Sequence, residues 1–354
     1  MGDQSELVVR KDEPQNLESP CSIFDSYLTP EHLFYVRNHF PMPRIELDTW
    51  RLRVEGCVEQ VRDFTYAEIL AMPARTVVAT LECAGNSRAF LPEPSKGVQW
   101  KLGAVGNAEW TGVPLSELLA RAGLEDRATD IVLEGADAGE IAEEPKTPGI
   151  IRYARSLPLS KAVSSDVLVA YRMNGRELSP EHGFPVRAVV PGWYGMASVK
   201  WLERILVSDR AFGGYFETFE YSRWERRDGM ATLVPLRVGE VKAEIAAPAA
   251  SSVLKTATAC RIHGAAWAGE SEISAVEVSV DNGRTWNRAR LLDTPRSYCW
   301  VRWDYSWTTP PQSSRATLLA KATAKDGRSQ PFEHREDDRH YAVHEVLRIP
   351  VEVK

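Results

Sequence analysis

At 354 residues, with 44% hydrophobic and 26% charged side chains, the chain exceeds what one hydrophobic core usually organises, so two domains of roughly 100–200 residues are expected and disorder is not. A formal charge of −6, from 43 Lys and Arg against 49 Asp and Glu, argues against nucleic acid as a partner, because binders of polyanions concentrate cations. The opening MGDQSELVVRKDEPQNLESP has neither an apolar h-region nor a twin-Arg signal, and no run of about 18 apolar residues follows, so a cytoplasmic location without a membrane partner is expected, or a periplasmic one had a leader been trimmed.

Residues 1–24 read as an N-terminal tail, polar over its first 20 residues and suited to a strap laid over the surface rather than a core element. From Trp50 the text LRVEGCVEQ alternates like a strand. Thr65 to Glu68 then forms a capping box ahead of ILAM, and Pro73 closes the helix. VVATLEC (77–83) reads as a buried strand, which places Cys83 where a strand runs into a loop. Pro114 can take the first helical position of LSELLARAG, with Leu115, Leu118, Leu119 and Ala122 on one face and Gly123 as the stop. Strand-like runs recur at IVLEG, DVLVAYRMNG and FPVRAVVPG, and Asn174-Gly175 reads as a tight hairpin turn.

After about residue 240 helical periodicity disappears. Short alternating strands are spaced by Asp281-Asn282-Gly283 and Asp326-Gly327, the pattern of a β-sandwich. Trp286, Trp300, Trp303 and Trp307 read as sandwich core rather than ligand stackers. The fold class is thus α+β, a mixed, mostly-β domain over 25–238 followed by an immunoglobulin-like β-sandwich over 239–354.

Five cysteines, Cys21, Cys57, Cys83, Cys260 and Cys299, lack CxxC spacing, so neither a zinc ribbon nor a disulfide framework is indicated. Four of them read as small buried hydrophobes. Cys83 differs. In Leu81-Glu82-Cys83-Ala84-Gly85-Asn86-Ser87-Arg88 the cysteine ends a buried strand, the Ala-Gly pair lets something approach the backbone closely, and a cation follows that would favour the thiolate. On the residues alone, both a functional thiolate and plain packing stay open.

Four blocks together resemble the sulfite oxidase family, which includes the molybdenum domains of assimilatory nitrate reductases: Leu28 to Pro43 (LTPEHLFYVRNHFPMP), Leu81 to Arg88, Glu109 to Leu115 (EWTGVPL), and Leu168 to Trp201 (LVAYRMNGRELSPEHGFPVRAVVPGWYGMASVKW). Their order and spacing match over roughly residues 25–210, and the sandwich looks like the family's dimerisation domain, which implies a homodimer. The resemblance implies a molybdenum cofactor, Mo-molybdopterin, with Cys83 as the protein's metal ligand. It further implies Arg37, Arg88 and Arg339 at the substrate, and Arg37, Asn38, His39, Asp137, His182, Arg187, Ser198 and Lys200 at the pterin and its phosphate. Trp100 and Tyr153 fall near pocket positions. Trp224 to Gly229 resembles the family's W-x-R-R-D-Y segment with Gly229 in place of the active-site tyrosine; Tyr221 upstream either reaches into the pocket in its stead or, the favoured reading, lies on the surface.

The activity implied is two-electron oxygen-atom transfer, with the small oxyanion sulfite oxidised to sulfate. No haem segment and no dinucleotide-binding GxGxxG is seen, so a separate acceptor such as a cytochrome would take the electrons. Reduction of nitrate or of an S- or N-oxide on the same cofactor is the alternative, and a non-catalytic member of the fold is a second.

Overall fold

The computed structural model describes residues 6–93 and 95–354. Local signals and observed elements agree where the pattern is strong. The helix Tyr66–Ala71 starts at a reciprocal capping box, with Glu68 N donating to Thr65 Oγ1 at 3.2 Å and Thr65 N donating to Glu68 Oε2 at 2.8 Å. The helix Leu115–Ala122 buries Leu115, Leu118, Leu119 and Ala122 and stops at Gly123 with φ 72°, while Pro114 stands just before its first turn rather than in it. Asn174-Gly175, both at positive φ, turn the strand Leu168–Met173 into Arg176–Glu177.

Two five-stranded sheets frame the first domain. One runs Arg176–Glu177, Leu168–Met173, Val105–Pro114, Arg75–Glu82, with Arg187–Val189 also pairing Leu168–Met173. The other runs Arg62–Phe64, Leu52–Gly56, Leu202–Ser208, Asp130–Gly139, Ile151–Pro158, with Leu52–Gly56 and Leu202–Ser208 parallel. A largely aliphatic core joins the helix Leu115–Ala122 to the second sheet, and an aromatic one centred on Phe34, Trp100 and Trp110 backs the first. Cys83 ends the strand Arg75–Glu82 at the edge of that aromatic core.

The second domain is a sandwich of a four-stranded sheet, Lys242–Ala247, Ala259–Trp267, Val301–Thr308 and Arg290–Leu291, against a five-stranded one, Val253–Leu254, Ile349–Val353, Ser314–Ala324, Ile273–Ser279 and Asn287–Arg288. Inward positions alternate along these strands, with Val276, Val278, Trp303, Leu318 and Ala322 at the centre. Of the four tryptophans, Trp303 and Trp307 pack inside the sandwich. Trp300 instead joins a cluster with Ile23, Phe24, Val105 and Trp267 that ties the sandwich to the first domain. Trp286 is half-buried under Phe332 and Lys321. The C-terminal segment also returns to the first domain, where Tyr341 and Ala342 belong to its core.

The N-terminal strap departs from its sequence reading; residues 1–5 lie outside the described residues. Val8–Lys11 and Asn16–Glu18 form a sheet with Val36–Arg37, and Asn16 and Glu18 are buried. Polarity misleads here because the buried polar groups are paired. Asn16 Oδ1 accepts from Asn38 N at 3.1 Å and from Arg37 Nη1 at 3.3 Å, and Glu18 Oε1 accepts from Gly103 N at 2.8 Å. Replacing Asn16 by Ala leaves the buried Asn38 amide without its acceptor and is expected to cost about 1–3 kcal/mol. An unchanged urea midpoint for Asn16→Ala would show that the strap is not part of the folded core.

Candidate functional site

The end of the strand Arg75–Glu82 turns sharply, with Asn86 N donating to Cys83 O at 2.8 Å, Arg88 N to Gly85 O at 3.1 Å, and Cys83 N to Ala104 O at 2.8 Å. The turn leaves the Cys83 side chain in the wall of a pocket. Arg37, Asn38 and His39 enter this wall from the chain after Phe34-Tyr35, and Asp137 enters from the bulge in the strand Asp130–Gly139. His182, Ser198 and Lys200 complete it from two irregular segments, gathered by Arg187 at the start of the strand Arg187–Val189: Arg187 Nη1 donates to His182 O at 3.1 Å and Nη2 to Ser198 O at 2.9 Å. Tyr153 lines the cavity as well, its ring stacked on His39 with centroids 4.4 Å apart.

This wall gathers positive charge with little to balance it. Among the described residues none of Arg37, Arg187 and Lys200 is ion-paired. Lys200 Nζ donates to Asn38 Oδ1 and, at 2.8 Å, to Glu181 O, both neutral acceptors. Burial, then Arg187, holds the Lys200 ammonium well below its ordinary pKa. Burial lowers Arg187 to about 10, and burial followed by Lys200 lowers His182 to about 4. His39 is pushed well down by burial and then by Arg37. Asp137 goes the other way, burial raising it to about 6 against the pull of Lys200. A buried lysine lowered further by neighbouring arginines makes an environment that an anion stabilises.

Tyrosines form the remaining side. Tyr221 lines the cavity at 3% exposure, and its hydroxyl is hydrogen-bonded to His39 Nε2 at 2.6 Å. A single turn of π-helix, Phe216–Glu220, delivers it. Arg155 holds this turn from one side through Phe216 O, Leu236 O at 3.0 Å and a buried pair with Glu217 at 3.1 Å. Behind Tyr221 lies Tyr341, centroids 5.0 Å apart, whose hydroxyl donates to Glu220 Oε2 at 2.5 Å.

Four expectations are corrected. Arg88 does not line the cavity: its guanidinium lies in a slot where a Cβ on Gly85 or on Gly97 would come within 2.5 Å of it, donates to His340 O at 3.0 Å and to Val98 O at 3.1 Å, and covers the Tyr341 ring at 5.0 Å. The small Ala-Gly pair after Cys83 therefore admits an arginine, and the arginine serves backbone carbonyls. Arg339 is likewise absent from the wall; its Nη1 donates to Phe219 O at 3.1 Å and to Ser222 Oγ at 2.9 Å, holding the turn that presents Tyr221. Gly229 sits at the exposed tip of the hairpin Ser222–Arg227 and Met230–Pro235, with nothing within 4 Å of a Cβ placed there. Tyr221, eight positions earlier, lines the wall together with Tyr35 and Tyr153, where the sequence reading had favoured the surface for it. Trp100 is fully buried in the aromatic core and also does not line the cavity. Tyr341 sits in the same Arg339-His340-Tyr341 segment but was given no role of its own, and the aromatic run Tyr215, Phe216, Phe219, Tyr221 after Gly213-Gly214 was the signal available for its partner.

These residues fit a pterin-held metal. A thiolate is a soft ligand, and unpaired Lys200 and Arg187 beside two neutral imidazoles suit a phosphate and the polar edge of a pterin. The oxidoreductase molybdopterin-binding domain family matches residues 39–216, and the Mo-co oxidoreductase dimerisation domain family matches 236–344. Sulfite oxidase of Gallus gallus is 34% identical over 346 residues, covering 92% of this chain and 73% of that protein. Mitochondrial sulfite oxidase of Rattus norvegicus is 32% identical over 351 residues, covering 92% and 61%; the chain thus spans about three-quarters and three-fifths of these relatives. The sulfane dehydrogenase SoxCD of Paracoccus pantotrophus superposes with TM-score 0.81 at 28% identity, covering 96% of this chain and 84% of that one. The chain belongs to the sulfite oxidase family and is a molybdopterin-dependent oxidoreductase.

The charge of the cavity has a pH signature. His182 has its folded pKa lowered from 6.5 to about 4. Between those values the unfolded chain binds the proton and the folded one does not, so this contribution to stability is full above pH 6.5 and is lost as pH falls toward 4. Asp137, raised from 3.8 to about 6, acts oppositely, favouring the fold below pH 6. His182→Gln should therefore flatten the fall of melting temperature of the cofactor-free protein between pH 6.5 and 4. Equal slopes for the two proteins would refute a neutral His182.

Proposed function

We propose that the protein oxidises sulfite to sulfate by two-electron oxygen-atom transfer, with Cys83 as its ligand to molybdenum. The observation that carries this reading is the convergence of Cys83, Arg37 and Tyr221 on one pocket that Arg187 and Lys200 also line. When bound, the molybdenum pterin supplies the redox and oxygen-transfer chemistry. Lys200, Arg187 and His182 hold the pterin's phosphate end, and Asn38 and Ser198 shape its bed. Arg37 attracts and orients the oxyanion through its guanidinium fork. The Tyr221 hydroxyl, fixed by His39, donates a hydrogen bond to the substrate oxygen, and the Tyr341 ring with Arg88 behind it keeps Tyr221 in place and keeps water out. A separate acceptor of the cytochrome type takes the electrons, and the sandwich, matching a dimerisation family, supports a homodimer.

A second reading has one observation in its favour. Neither Arg88 nor Arg339 lines the cavity, which leaves Arg37 as the one guanidinium for the substrate, in a wall that also holds Tyr35, Tyr153 and Tyr221. A less charged S- or N-oxide, reduced in the reverse direction, suits that wall.

In protein made by a host that synthesises the pterin, near-stoichiometric molybdenum with sulfite-dependent ferricyanide reduction is expected, and Cys83→Ser should abolish turnover. Tyr221→Phe should lower kcat roughly 10²-fold, the usual scale for removing one transition-state donor. Arg37→Gln should act mainly on KM. Metal-loaded wild type that ignores sulfite but oxidises reduced viologen with an S- or N-oxide would replace the first reading by the second.

A further inference from the structure

Behind the Cys83 turn lies a buried charged cluster with no part in the cavity. Successive strand residues point to opposite faces, so Glu82 extends away from the side that Cys83 serves, and Asn86 and Ser87 at the other end of the turn join it. The first strand of the second domain, Lys242–Ala247, supplies the rest. Lys242 Nζ lies 3.1 Å from Glu82 Oε1, 3.0 Å from Glu244 Oε1 and 2.9 Å from Ser87 Oγ. Asn86 Nδ2 donates to both carboxylates, at 3.2 and 3.1 Å, and its Oδ1 accepts from Ala104 N at 3.0 Å. Trp267 Nε1 donates to Glu82 Oε2 at 2.8 Å. Lys242 and Glu244 are 1% and 2% exposed.

A buried ion triad of this kind is weak as a source of stability, because desolvation offsets its attraction and an apolar cluster of similar volume often does as well. What it supplies is geometry. The side chains on either flank of Cys83 are tied to one ammonium, and that ammonium belongs to the other domain. Outer-shell partners of this sort orient a metal's ligands and set how tightly it is held.

We propose that Lys242 is a positioning residue for the metal ligand: through Glu82, Ser87 and Glu244 it fixes the turn from which the Cys83 thiol projects, so that the second domain sets how firmly and in what geometry molybdenum is bound. The inference rests on the reading of Cys83 as the molybdenum ligand.

The test compares wild type, Lys242→Met and Glu244→Gln as full-length protein from a pterin-producing host. Molybdenum per chain is measured by mass spectrometry before and after long dialysis, and the electron paramagnetic resonance spectrum of the half-reduced metal is recorded beside a thermal melt. Lys242→Met should lose metal about tenfold faster than wild type, at the low end of the ~10–100-fold effects of outer-shell partners, and should show shifted g-values. Retention and spectrum identical to wild type would overturn the inference. Should Lys242→Met fail to fold, the nearly isosteric Glu244→Gln decides: a shifted spectrum supports positioning through the cluster, and an unchanged one overturns it. Metal-free wild type would overturn the molybdenum reading itself, whereas metal-loaded wild type with unshifted variants would overturn only the inference drawn from it.

Discussion

The structure depends on holding positive charge, unneutralised, around one pocket. Arg37 and Arg187 stand close enough to lower Lys200 beyond what burial does, and backbone carbonyls and amide side chains satisfy the N–H groups of all three without cancelling their charge. That solution dictates the local chain path. The segments around His182 and Ser198 must approach Arg187 closely enough to offer carbonyls, which is why irregular loops rather than sheet form this part of the wall. Lys242 shows the opposite arrangement. Burial lowers its pKa, but Glu82 and Glu244 outweigh burial and raise it, whereas Lys200 falls. Two buried lysines thus serve different ends: Lys242 is neutralised by its own chain and holds structure, and Lys200 keeps a charge free for an anion.

The opposite side of the site is built by stacking rather than charge. Arg88 covers Tyr341, Tyr341 packs on Tyr221, Tyr221 bonds His39, and His39 stacks on Tyr153. The rings belong to four separate stretches of the chain. Their order is kept by arginines that never touch the cavity: Arg155 and Arg339 grip the carbonyls of the turn before Tyr221 from two sides. A guanidinium has five donors in a planar fork, so one side chain can gather several carbonyls that no regular ladder would satisfy.

That use of arginine marks where the sequence was legible and where it was not. The capping box at Thr65, the stop at Gly123 and the turn at Asn174-Gly175 are local rules and were read directly. Arg37, Asn38, His39, Cys83, Asp137, His182, Arg187, Ser198 and Lys200 sit in recognisable blocks, and all nine reach one cavity. Arg88 and Arg339 have the right charge for the pocket, but charge does not say whether a guanidinium meets a ligand or a carbonyl. Tyr221 was misplaced because the similar W-x-R-R-D text turns tightly at Asp228-Gly229 in this chain and carries position 229 into solvent. Tyr341 reaches Tyr221 across 120 residues, a contact that no window of periodicity can register.

The same long range governs how the two domains relate. Asn86 and Ser87 meet Glu244 from more than 150 residues away, Trp267 reaches Glu82, and Ile23 and Phe24 pack with Trp267 and Trp300. The turn bearing Cys83 is therefore complete only when the first sandwich strand has docked, and Tyr341 returns from the sandwich side to close the tyrosine wall. A sandwich that served assembly alone would need no buried ions at its inner edge, since apolar contact holds domains together at less desolvation cost. Its contribution of Lys242, Glu244, Trp267 and Tyr341 around one cysteine and one tyrosine makes the second domain a structural part of the site, and the boundary between the domains runs through the cavity's supports rather than beside them.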